Sequence, residues 1–254
     1  MNSITAKTGF TWIVNGYGIF RQRPFLMTNL FFGYMIGLTV LGIIPFIGQI
    51  LPIVVMPVFS FLFMQTCYKI DSGTYVSFRD LFNIFTRQTM NRLLLLGSLY
   101  LLYTLLLAVI AIFVDGGLLI GTVSQQAAEE LTSSQQVKLF MTLVLVIALY
   151  IPFAMAVWFA TPLIGWQKMS IGKAIFFSFF AVLRTLQAFL VYIFCWLVLG
   201  MFMPVIIGSV LILLGFQNVA MFIMVVLSVF LSILAYCSFY PTYKDVFGQP
   251  DTDN

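Results

Sequence analysis

The chain has 254 residues, 62% of them hydrophobic and only 8% charged, and its mean hydropathy is +1.08. Soluble domains carry about 25% charge, and a soluble core cannot absorb this much apolar surface, so the composition excludes an ordinary soluble domain. Twelve Lys and Arg against eight Asp and Glu leave +4, with no His; the basic residues sit at the ends of apolar runs, where they anchor and orient a membrane protein rather than bind nucleic acid.

Residues 4–20 form a one-sided segment. Phe10, Ile13, Val14, Tyr17 and Phe20 share one face, with Thr8, Thr11, Asn15 and Gly18 opposite. No small-residue cleavage site follows the stretch, so it reads as part of the fold rather than as a removed signal. Arg21 and Arg23 come next, and Pro24 suits the first turn of a new helix. The first span is predicted over 25–44, where Gly33 and Gly37 make a small-xxx-small pair suited to a helix-packing contact. Pro45, Gly48 and Pro52 mark a turn, and the second span is predicted over 47–68, kinked near Pro52 or Pro57.

A second one-sided helix is predicted over 77–87. Ser77 with Asp80 forms its cap pattern, Phe78, Leu81, Phe82 and Phe85 its stripe, and Arg79, Asp80, Asn83 and Arg87 its polar face. The third span follows over 93–113. Residues 115–136, holding Glu129 and Glu130 and no positive charge, read as the main periplasmic loop, and Ser133 with Gln136 as the cap of the next helix. The fourth span is predicted over 137–159, with Pro152 inside it.

The third one-sided helix covers 170–184. Ile171, Ile175, Phe176, Phe179, Phe180 and Leu183 lie on one face; Ser170, Lys173, Ala174, Ser178, Ala181 and Arg184 lie on the other, which this reading turns toward water. The fifth span is predicted over 186–207, softened by Gly200 and Pro204, and the sixth over 219–240; Gly208–Gln217 between them reads as a turn or a re-entrant segment. The expected fold is therefore all-α: one integral membrane domain over 1–254, with six transmembrane helices in three hairpins, each preceded by an interfacial amphipathic helix. Ile19-Phe20-Arg21, Ile84-Phe85-Thr86-Arg87 and Val182-Leu183-Arg184 each close a one-sided helix before a span, the mark of a parallel repeat. Among the twelve Lys and Arg, Lys138 alone falls on the outer side of this layout, which predicts both termini in the cytoplasm and the chain in the inner membrane.

Three groups of residues resemble a known family: Trp12-x3-Gly16-x3-Phe20-Arg21-x-Arg23-Pro24, Phe78-x-x-Leu81-Phe82, and Tyr240-x-x-Tyr243-Lys244-Asp245-Val246-Phe247. They resemble a family of bacterial inner-membrane proteins with six spans and no established function. More distantly, the layout is similar to the membrane domain attached to some glycerophosphoryl diester phosphodiesterases. The resemblance implies an integral inner-membrane protein and carries over no catalytic or binding residue.

Chemistry-bearing residues are sparse. Without His, and with carboxylates scattered over loops and span ends, no nucleophile–base pair or paired-acid site assembles, so no enzyme activity is expected. Cys67, Cys195 and Cys237 lie in or beside apolar segments and read as reduced thiols; with no CxxC, neither a metal nor a cofactor site is expected. The predicted spans hold no charge in their interiors, only Thr28, Asn29, Gln65, Thr104 and Thr142, which gives no proton relay. The expected partners are membrane lipids. Arg79, Arg87, Lys173 and Arg184 are the candidate anionic-lipid contacts, each worth about 1 kcal/mol at headgroup depth. The function expected is structural or lipid-organising; the alternative is a carrier of a lipid-like or neutral small molecule, not proton-coupled through its spans.

Overall fold

A computed structural model describes residues 4–45, 48, 50–74, 85–123 and 132–250. Among them the chain is helical, without strands, in the order α1 (Ala6–Gln22), α2 (Pro24–Gly42), α3 (Leu51–Asp71), α4 (Arg87–Asp115), α5 (Leu118–Val123), α6 (Ser133–Val157), α7 (Ala160–Gly165), α8 (Ile171–Arg184), α9 (Leu186–Leu197), a π-helical turn (Val198–Phe202), α10 (Met203–Leu213) and α11 (Gln217–Phe247). Six stretches are long and apolar enough to cross a membrane: Pro24–Gly42, Leu51–Asp71, Arg87–Asp115, Ser133–Gly165, Leu186–Leu213 and Gln217–Phe247. The chain is thus an all-α, multi-pass membrane protein.

Local chemistry sets the helix ends. Pro24 opens α2, and Thr86 caps α4 by accepting the Thr89 N–H at 3.2 Å. Gly116, at φ 73°, closes α4 in the left-handed region. The expected cap of α6 lies one residue earlier than the sequence reading put it: the Thr132 N–H donates to Gln135 Oε1 at 2.9 Å, and Ser133 with Gln136 is not the capping pair. The start of the predicted 115–136 loop is structured. Asp115 is buried and accepts the N–H groups of Gly117 (2.8 Å) and Leu119 (3.0 Å), which fixes the turn into α5. Gly208–Gln217 is the end of α10 followed by a turn at Leu214-Gly215-Phe216, with Gly215 at φ 84°, so no re-entrant segment forms there. The predicted helix over 77–87 lies largely outside the described residues; Phe85, just before α4, meets Phe61 of α3 with ring centroids 5.8 Å apart.

Helix packing departs from the sequence reading in one consistent way. In lipid, apolar side chains gain little by leaving one apolar surface for another, so helices associate through small residues and hydrogen bonds. On α1 the buried face is Gly9, Trp12, Ile13, Gly16 and Ile19, while Phe10, Val14 and Tyr17 from the predicted stripe stay exposed. A Cβ on Gly9 would lie 2.1 Å from the Ala188 carbonyl of α9, and one on Gly16 would lie 2.7 Å from the Ser238 Cα of α11. The two glycines let α1 seat itself between those helices. On α8 the buried residues are Ala174, Ser178 and Val182, so Ser178 faces α6 and not water as predicted. Gly33 and Gly37, by contrast, bring no backbone close among the described residues. Nothing lies within 4 Å of a Cβ on Gly33, and only the Phe59 ring, at 3.9 Å, approaches one on Gly37.

Candidate functional site

The polar groups gather around the ends of α3, α7 and α11, and they tie those ends to one another and to the middle of α1. Asp71 Oδ2 receives Lys244 Nζ at 2.6 Å and the Tyr240 hydroxyl at 3.0 Å, the only ion pair among the described residues. The indole N–H of the fully buried Trp12 donates to Asp245 Oδ2 at 2.8 Å. Trp166 donates its indole N–H to Gln65 Oε1, and Gln167 Nε2 reaches the Tyr243 hydroxyl at 3.0 Å. Arg92 donates to the carbonyls of Lys168 (2.6 Å) and Met169 (3.3 Å). The described carboxylates, Asp71, Asp115 and Asp245, are therefore each engaged in holding a neighbour. This arrangement latches helix ends together.

A second feature sits deeper. Between α9 and α11 a cleft of about 310 Å³ opens outward, lined by Trp158, Tyr192, Ile193, Trp196, Leu197, Ala235 and Phe239. Trp158 reaches it because the fourth span breaks there. Phe159 N–H would ordinarily bond the Met155 carbonyl four residues back. The hydroxyl of Ser178, from α8, stands between them: it accepts from Phe159 N at 2.9 Å and donates to Met155 O at 2.8 Å. A foreign hydroxyl in the ladder is one recognised cause of a kink, and here it satisfies both freed groups. Trp158 then packs edge-on against Phe189 (5.3 Å), Tyr192 (5.9 Å) and Phe239 (5.3 Å). The Tyr192 hydroxyl turns inward to Ser238 Oγ at 2.6 Å, so the wall facing the opening is apolar.

The sequence-predicted lipid contacts lie elsewhere. Arg87 opens α4, and Lys173 and Arg184 lie on α8; all three are exposed and none makes an ion pair among the described residues. Arg79 falls outside those residues. The cleft residues were missed as a site because Trp196 reads as packing when taken alone. Tyr192 and Trp196, four residues apart on one helix face, were the signal available.

No family model matches the chain, and no solved structure matches it. Among curated proteins it is similar to the probable inner membrane protein BTH_II0599 of Burkholderia thailandensis, at 31% identity over 96% of this chain and 93% of the relative.

Proposed function

The chain belongs to the family of that Burkholderia inner membrane protein, and from this premise we propose that it binds and organises bilayer lipid and catalyses no reaction. The observation that carries the reading is the outward-opening apolar cleft between α9 and α11, whose Tyr192 hydroxyl is turned inward to Ser238. A wall of this kind suits hydrocarbon. The engagement of Asp71, Asp115 and Asp245 in latching contacts supports a non-catalytic role. Two spans carry discontinuities, the fourth at Trp158 and the fifth at the π-helical turn before Pro204. Broken helices line substrate paths in many carriers, and this favours, as a second reading, a carrier of a lipid-like or neutral molecule.

Purification in mild detergent followed by mass spectrometry of the extracted lipid tests the proposal. One lipid class should be retained in defined stoichiometry and enriched over the host membrane; recovery of bulk composition alone would overturn it. Both termini are assigned to the cytoplasm on the strength of the basic residues at one set of span ends. Reporter fusions after Gln126 and after Asn254 should then report opposite compartments, and agreement between them would refute the orientation.

A further inference from the structure

We infer that Arg184 and the α9–α11 cleft form a single site for an anionic phospholipid, the phosphate at Arg184 and one acyl chain in the cleft. The inference rests on the lipid-organising reading and names the lipid class and the place it binds. Arg184 is the last residue of α8, exposed and without an ion pair among the described residues. After Thr185 the chain turns directly into α9, which carries Tyr192, Ile193, Trp196 and Leu197 of the cleft wall. At 1.5 Å per residue, Ile193 and Trp196 lie about 11 and 15 Å along α9 from its first residue, Leu186, which stands two past Arg184. Half the hydrocarbon thickness is about 15 Å, so a charge held at headgroup depth places the cleft at the depth of an acyl chain from the same leaflet.

The chemistry of the two ends agrees with one occupant. The cleft wall is apolar, which rejects a headgroup and accepts hydrocarbon; the guanidinium pairs with phosphate in a planar, two-pronged geometry. The charge on Arg184 distinguishes an anionic lipid from a zwitterionic one. Lys173 is the built-in comparison. Eleven residues earlier on the same face of α8, it lies about 16 Å from Arg184 along that helix and so away from the start of α9.

Tryptophan fluorescence reads the site, because Trp158 and Trp196 line the cleft while Trp12, behind the Tyr192 wall, and Trp166 are buried out of reach of lipid. The full-length protein is reconstituted in vesicles of phosphatidylcholine containing phosphatidylglycerol or phosphatidylcholine with brominated acyl chains, which quench on contact. The brominated phosphatidylglycerol should quench with roughly fivefold higher relative affinity, the effect of one basic residue at an anionic surface. Arg184→Gln should abolish that preference, and Lys173→Gln should keep most of it. Ala235→Phe, which fills the cleft, should weaken quenching by both lipids; Leu197→Phe, from the opposite wall, repeats that arm should the first variant not fold. Equal affinity for the two lipids, an equal loss in both charge variants, or quenching indifferent to the filled cleft would each overturn the site. Selective lipid retention alongside any of these results would leave the lipid-organising reading standing and remove only this site.

Discussion

Gly97→Val is expected to part α3 from α4 and to cost the fold about 3 kcal/mol or more, at the upper end of what overpacking does in a well-packed interior. A Cβ at Gly97 would lie 1.9 Å from the Val54 carbonyl oxygen and 2.6 Å from its carbon. Both are backbone atoms, so no rotamer change relieves the clash and the helices must move as bodies. Thermal unfolding in detergent should show a large loss of stability. Gly33→Val and Gly37→Val, which place their side chains in open space or against one ring edge at 3.9 Å, should leave it nearly unchanged. A loss at Gly97 no larger than at Gly33 would show that α3 and α4 do not approach as closely as described.

That comparison also shows what the sequence reveals and what it hides. The spans are legible because bilayer thickness fixes the length of an apolar run: the third, read over 93–113, is Arg87–Asp115, and the sixth, read over 219–240, is Gln217–Phe247. Their ends differ because charged and polar residues continue a helix beyond the hydrocarbon without altering its hydrogen bonds. Packing faces are another matter. Gly33 and Gly37 carry the recognised spacing yet bring no backbone close among the described residues, whereas Gly97, in a leucine run with no paired small residue, takes the closest approach of all. A glycine's role depends on the partner backbone, which no local pattern specifies.

The same blindness governed α1 and α8. The sequence reading lays the large apolar stripe on lipid and turns the opposite face to water, the logic of a helix resting on a membrane surface, which leaves no side for packing against the rest of the chain. In a lipid-embedded chain the Phe-rich faces remain outside, with Phe176 and Phe177 exposed, while Ala174 and Ser178 are fully buried. The site was illegible for a related reason. The cleft is assembled from α6's broken end, α9 and α11, elements remote in the chain, and its lining is chemically indistinguishable from core.

Ser178→Ala is expected to destabilise the protein by about 1–3 kcal/mol, the cost of leaving a buried donor or acceptor unpaired. Without the hydroxyl, Phe159 N–H and Met155 C=O both lose their partner, and the gap left by one oxygen is too small for water to replace it well. The chain has one way to recover: closing the Phe159 N–H onto the Met155 carbonyl, which straightens the fourth span and withdraws Trp158 from Phe189, Tyr192 and Phe239. The variant should therefore lose stability in detergent and also shift the tryptophan emission, which with Trp196 replaced by Phe comes from Trp158 and the buried Trp12 and Trp166. Ser228→Ala is the control. Its hydroxyl bonds the Met224 carbonyl of its own helix at 2.7 Å from an exposed position, so its removal frees no buried group and should change neither signal. If Ser178→Ala unfolds as the parent does, with the tryptophan emission unmoved, the inserted hydroxyl does not hold the break, and the placement of Trp158 in the cleft must come from its ring contacts alone.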